Sequence, residues 1–207
     1  MAFRVAVLIS GEGTNLQAIL DTVHRREGIE VACVGSSRRD APGLQRAAGA
    51  GVETAVFELA AHPDRAARDR ALADWLDERK IDLVVLAGFM EVLGAEFIRR
   101  YRNRIVNVHP ALLPAFPGVH AVQQALEHGV KVTGVTVHFV DEEVDHGPII
   151  LQEAFGLSYP SRIAEIEERV HEIEHRLLPK AVRMIAAGRV HLDLDNPRLV
   201  RIDDEGG

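Results

Sequence analysis

The block RVAVLIS (4–10) is almost unbroken in apolar character, whereas NLQAILDTVHRREG (15–28) repeats apolar residues every three or four positions. The first predicts a buried strand. The second predicts a helix with Leu16, Ile19, Leu20 and Val23 on one face and Gly28 as its stop. The alternation continues with IEVACVG (29–35) as a second strand, PGLQRAAGAG (42–51) as a short helix opened by proline, and VETAVFE (52–58) as a third strand. PDRAARDRALADWLDERK (63–80) predicts a helix turning Leu72, Trp75 and Leu76 inward. IDLVVLAGF (81–89) suits a central strand buried on both faces. Strands alternating with helices predict an α/β fold: a Rossmann-like, doubly wound, mostly parallel sheet with helices on both faces.

The pattern changes after RIVNVHP (104–110). A helix near 119–129 precedes KVTGVTVHFV (131–140) and GPIILQEAF (147–155), two strands joined by an acidic loop; that spacing predicts a hairpin and makes the sheet mixed on one side. A long helix over roughly 160–187 and a strand-like tail with a frayed acidic end follow. No repeat or low-complexity linker interrupts the pattern, so the whole of 1–207 is expected to be a single domain.

Composition narrows the function classes. A formal charge of −7 argues against a nucleic-acid partner or an anionic membrane surface. The apolar start is too short for a membrane span and runs straight into glycines. A single cysteine, Cys33 in an apolar run, allows no intrachain disulfide and fits a buried thiol in a reducing cytoplasm.

Four stretches carry candidate chemistry. SGEGTN (10–15) links the first strand to the first helix, where free amides of Gly13, Thr14 and Asn15 would suit an anion. A dinucleotide fingerprint would need a third glycine where Leu16 stands, so a phosphate cradle is the better reading, weighed against a ligand-free turn. HEIEH (171–175) matches a zinc-protease fragment, but the region is rich in glutamate and histidine and offers no third ligand, so no metal is expected. DEEVDHGP (141–148) is by itself a polar turn whose Asp145 could approach His109. NVHPALLPAFPG (107–118) sets Asn107 and His109 two apart, on one side of a strand, ahead of Pro110, Pro114 and Pro117. An amide and an imidazole held by a stiff loop are donors suited to the oxyanion of acyl transfer, and Asp145 would favour the imidazolium.

Together with VLISGEGTNLQAIL, VVLAGFMEVL, GVTVHFVDEEVDHGPII and RVHEIEHRLLP, in that order, this last stretch resembles the phosphoribosylglycinamide formyltransferase family, folate-dependent enzymes of purine synthesis. The resemblance implies 10-formyltetrahydrofolate as co-substrate and phosphoribosylglycinamide as acceptor. It implies a phosphate-binding half (1–100), a catalytic and folate-binding half (101–190) and a tail (191–207). By the same resemblance Asn107, His109 and Asp145 are the catalytic set, and Gly13, Thr14, Asn15, His171 and Glu174 bind the ribonucleotide. Arg65, Met90, Glu91, Val92, Leu93, Asn107, Asp141, Glu142, Glu143, Val144 and Asp145 line the folate site. Small-molecule partners, a cytoplasmic setting and room for a homodimer complete the expectation. Three positions depart from the family pattern: Glu91 stands where many members carry arginine, His171 where glutamine is common, and His146 where a small residue is usual. A hydrolytic formyltetrahydrofolate deformylase is the nearest alternative; a non-catalytic NADP- or nucleotide-binding protein is a more distant one.

Overall fold

The apolar run at the start forms β1 (Phe3–Ile9), whose residues Val5 to Ile9 have no exposed surface. The computed structural model describes residues 2–203. It divides between Asn107 and Val108 into two compact units.

In the first unit β1 pairs in parallel with β2 (Ile29–Ser36) on one side and β4 (Leu83–Leu86) on the other. β3 (Glu53–Val56) extends the sheet beyond β2, and β5 (Ile105–His109) lies parallel to β4. All four residues of β4 are buried, as expected of a strand covered on both faces. α1 (Thr14–Thr22), α2 (Gly43–Gly49), α3 (Arg65–Glu78) and α4 (Ala95–Arg100) connect the strands. Asp64 caps α3 by accepting the Ala67 amide at 2.7 Å, which satisfies one free N–H of the first turn. Leu72 then sits over β2, where a Cβ on Gly35 would come within 3.6 Å of it.

Two expectations shift here. α1 stops six residues before Gly28: the Thr22 hydroxyl bonds back to the Ala18 carbonyl, and His24 Nδ1 is taken by the Val31 amide. Arg25 and Glu27 then turn left-handed, which no helix can follow. Trp75 is only half-buried, its ring edge-on to Phe57 and its face under the Arg79 guanidinium.

In the second unit β6 (Val132–Phe139) and β7 (Ile149–Gly156) form the expected antiparallel hairpin. The seven-stranded order is β3-β2-β1-β4-β5-β6-β7, a mostly parallel, mixed sheet. α5 (Ala121–Glu127) is shorter than predicted, fixed between left-handed His120 and Gly129. α6 (Ile163–Ala186) buries Ile166, Val170, Ile173 and Leu177 along one stripe and is tied to β7 by the Arg176–Glu153 ion pair. The tail pairs β8 (Val190–Leu192) with β9 (Val200–Ile202); the acidic residues from 204 on lie outside the described residues. No helix among the described residues is long and apolar enough to cross a membrane.

Candidate active site

The glycine turn of the first unit is shaped by packing before any ligand is considered. Gly13 is left-handed (φ 71°), and a Cβ there would lie 2.7 Å from the Gly43 Cα, so turn and α2 meet backbone to backbone. Gly13 caps α1 without a side-chain hydrogen bond, and Thr14 and Asn15 form the first turn, the end of a helix that favours an anion. A cation stands beside them: Arg46 of α2 donates to the Glu12 carbonyl at 2.7 Å and reaches the Gln17 side chain. Sequence reading missed Arg46, a basic residue on the helix after the second strand, far along the chain from the glycine turn.

Ser10 joins this turn to the segment after β4. Its hydroxyl accepts the Met90 amide at 2.8 Å and shares a second hydrogen bond with Ser37 Oγ, 2.6 Å away. Met90 and Val92 are exposed, while Leu93 is buried. Arg65 opens α3 and is exposed; one turn on, the fully buried Arg68 lies 3.6 Å from Glu91 and reaches the Val92 carbonyl. A charge at position 68 reads as solvated in a sequence, so Arg68 was missed as well.

The second unit brings His109, His138 and Asp145 together. β5 carries Asn107 and, two residues later, His109, whose residue is 4% exposed. His109 Nε2 lies 2.8 Å from the Phe116 carbonyl, and Nδ1 lies 3.3 Å from Asp145 Oδ2. Each neutral tautomer would leave one lone pair facing an oxygen; the imidazolium satisfies both. Burial opposes that charge and leaves the His109 pKa below its ordinary value, with Asp145 and the Phe116 carbonyl pulling it back up. Asp145 thus raises the imidazole as expected, but desolvation outweighs it.

Asp145 sits on the β6–β7 loop with a left-handed backbone (φ 52°). Burial pushes its pKa up, but the His138 ring, the Gly118 amide at 2.7 Å and His109 outweigh it, so the carboxyl stays ionised below its usual range. His138, buried at the end of β6, stands 3.6 Å from Asp145 Oδ1 and turns Nδ1 to its neighbour's carbonyl. In the sequence it is one of several polar residues on this strand, with Thr133 and Thr136, and nothing singled it out. Of the other loop residues, Glu142, Glu143 and Val144 are exposed, and Asp141 accepts from His146 Nδ1 at 2.9 Å.

The proline-rich loop is stapled from below. Thr136 Oγ1 donates to the Ala111 carbonyl and accepts the Leu113 amide, and the Gln152 amide bridges Thr136 and the Leu113 carbonyl. On α6, Glu174 is buried and His171 exposed. The His171 and His175 rings stack nearly parallel (10°) with centroids 6.2 Å apart. Among the described residues no three His, Cys, Asp or Glu side chains gather into a group that could hold a metal.

Comparison with known proteins accounts for the combination. The formyl transferase family model matches residues 3–182. Phosphoribosylglycinamide formyltransferase from Escherichia coli is 41% identical over 94% of this chain and 95% of its own. The enzyme of that name from Haemophilus influenzae is 41% identical over 91% and 90%. The crystal structure of glycinamide ribonucleotide transformylase 1 from Symbiobacterium toebii superposes with a TM-score of 0.93, at 49% identity, covering 98% of this chain and 95% of that one. The chain also matches the human trifunctional purine biosynthetic protein adenosine-3 at 42% identity, spanning about a fifth of its length (20%). The paired His109 and Asp145, the mixed sheet and these full-length likenesses have one explanation: the chain belongs to the formyl transferase family, among its phosphoribosylglycinamide formyltransferases.

Proposed function

We propose that the chain transfers a formyl group from 10-formyltetrahydrofolate, as co-substrate, to the glycinamide amine of N1-(5-phosphoribosyl)glycinamide, a step of purine synthesis in the cytoplasm. The observation that carries this reading is the pairing of buried His109 with Asp145 against the proline-rich loop. The amine nitrogen bonds to the formyl carbon, whose oxygen takes the negative charge of a tetrahedral intermediate. The bond from that carbon to N10 of the folate then breaks; N10 gains a proton and the amine loses one. Asn107 and His109 are the donors to the oxyanion, and His109 Nε2 exchanges the Phe116 carbonyl for this stronger, charged acceptor. Asp145, ionised, accepts the proton that the amine gives up.

Covalent catalysis by the protein is not required, because the acceptor brings its own nucleophile. Cys33 does not supply one: burial pushes its thiol up to about 12. Gly13, Thr14 and Asn15, aided by Arg46, are assigned to the phosphate, and Glu174 with His171 to the ribose. Arg65, Met90–Leu93 and the 141–145 loop are assigned to the folate. The test is incubation with both substrates and mass detection of the formylated ribonucleotide. Formate released without an acceptor, and no product when the acceptor is present, would instead mark a deformylase.

A further inference from the structure

Arg68, Leu72 and Leu76 fall at i, i+4 and i+8 on α3, and all three have no exposed surface. That stripe faces a core, where a helix ordinarily places apolar residues. Arg68 instead buries a guanidinium, which is costly unless something in the fold uses it.

What it uses lies in the segment between β4 and α4. Arg68 Nε donates to Asp69 Oδ1 at 2.7 Å, and Asp69 Oδ2 accepts the Gly94 amide at 2.7 Å. Arg68 Nη2 reaches the Val92 carbonyl at 3.3 Å, Nη1 lies 3.6 Å from the Glu91 carboxylate, and the guanidinium stands 5.9 Å from the Phe89 ring. Two adjacent residues of one helix thus touch four of the six residues from 89 to 94. The segment has no regular secondary structure of its own, and it exposes Met90 and Val92 above this support. Its other anchor is the Met90 amide on the Ser10 hydroxyl. The fit is close: a Cβ on Gly94 would stand 3.1 Å from Asp69 Oδ2.

We propose that the Arg68–Asp69 pair is a clamp that fixes the conformation of residues 89–94 and through it the affinity for the formyl donor. This rests on the assignment of Met90–Leu93 to the folate. Arg68 touches neither substrate; it is a positioning residue. The geometry explains why the charge is buried: Arg68 Nη2 holds the Val92 carbonyl and Asp69, paired with Arg68 Nε, holds the Gly94 amide, two backbone contacts that apolar side chains do not supply.

The test compares wild type with Arg68→Met, which keeps the length of the side chain, and with Arg68→Met/Asp69→Asn, which also removes the stranded carboxylate and keeps an acceptor for the Gly94 amide. Amide hydrogen exchange at residues 90–94 should rise at least tenfold in both variants, while amides of β1 and β4 keep their protection. The KM for 10-formyltetrahydrofolate should rise about fivefold or more; the KM for the ribonucleotide and kcat should stay within about twofold. Gly94→Ala, which presses on Asp69 from the other side, should move the same quantities in the same direction. If Arg68→Met does not fold, the double variant and Gly94→Ala carry the test. Unchanged exchange at 90–94, or equal rises in both Michaelis constants, overturns the clamp. A wild type that transfers no formyl group overturns the functional reading instead, and exchange then still reports on the clamp.

Discussion

Asp145 Oδ2 lies 3.3 Å from His109 Nδ1 and takes the Gly118 amide with the same atom. The carboxylate therefore holds the imidazole from one side and the proline-rich loop from the other. Replacing it with asparagine keeps the shape and removes the charge. Burial then acts on His109 with less opposition, so its titration midpoint, read by NMR, should fall below that of wild type. Turnover at neutral pH should drop about a hundredfold or more, the usual scale of a lost acid–base group, with both Michaelis constants moving far less. An unchanged midpoint would mean that the two groups are not electrostatically coupled.

Asn107→Ala and His109→Ala should each lower kcat by about two to three orders of magnitude, the size typical of a lost oxyanion donor. Far-UV circular dichroism should stay native in both. A variant retaining near-wild-type turnover would lose its place in the mechanism.

Acid should destabilise the protein in two stages. His109 is held below its ordinary 6.5, so the folded state resists a proton that the unfolded chain takes. Its contribution is present above pH 6.5 and is lost as pH falls toward the folded value. Asp145 is held below 3.8; its contribution is present above that pH and is lost at still lower pH. Urea midpoints measured from pH 7 downward should decline through both windows, and Asp145→Asn should make the second decline shallower, the rest coming from other carboxylates held low, Asp77 and Glu53 among them.

Gly13→Ala should destabilise by roughly 1–3 kcal/mol, as overpacking commonly does, because its Cβ would meet the Gly43 backbone at a left-handed position. Gly11→Ala, two residues away with nothing within 4 Å of the added carbon, should stay within about 0.5 kcal/mol. Thermal melts of the two variants make the comparison; equal melting temperatures would refute the packing account of the turn.

Purified protein should carry well under one zinc per chain, and chelators should leave turnover intact. The lack of a third ligand for His171 and His175 among the described residues motivates this. Activity lost to a chelator and restored by zinc would sink it.

The strands and most helices were legible because their burial follows simple periods: β4 is continuous apolar sequence, and α6 a clean helical stripe. The end of α1 was not, since it is set by hydrogen bonds from Thr22 and to His24 rather than by Gly28. The Asn107–His109 spacing and the approach of Asp145 to His109 could be read from motif order. His138 and Arg68 could not, because a polar residue in a buried stripe is indistinguishable from a solvated one until the packing around it is known. Trp75 erred in the opposite sense: a large apolar residue at a core spacing is half-exposed, satisfied by Phe57 and Arg79 near the surface.

The left-handed backbone at Asp145 gives the position two independent filters. Most side chains lose roughly 1–2 kcal/mol in that conformation, whereas glycine adopts it freely and asparagine and aspartate tolerate it best. A saturation library at this codon, sorted only for folded protein, should therefore retain glycine, asparagine and aspartate above the rest. Sorted for turnover, the same library should collapse to aspartate. The difference between the two enrichments measures, at a single position, how much selection comes from the shape of the chain and how much from its charge.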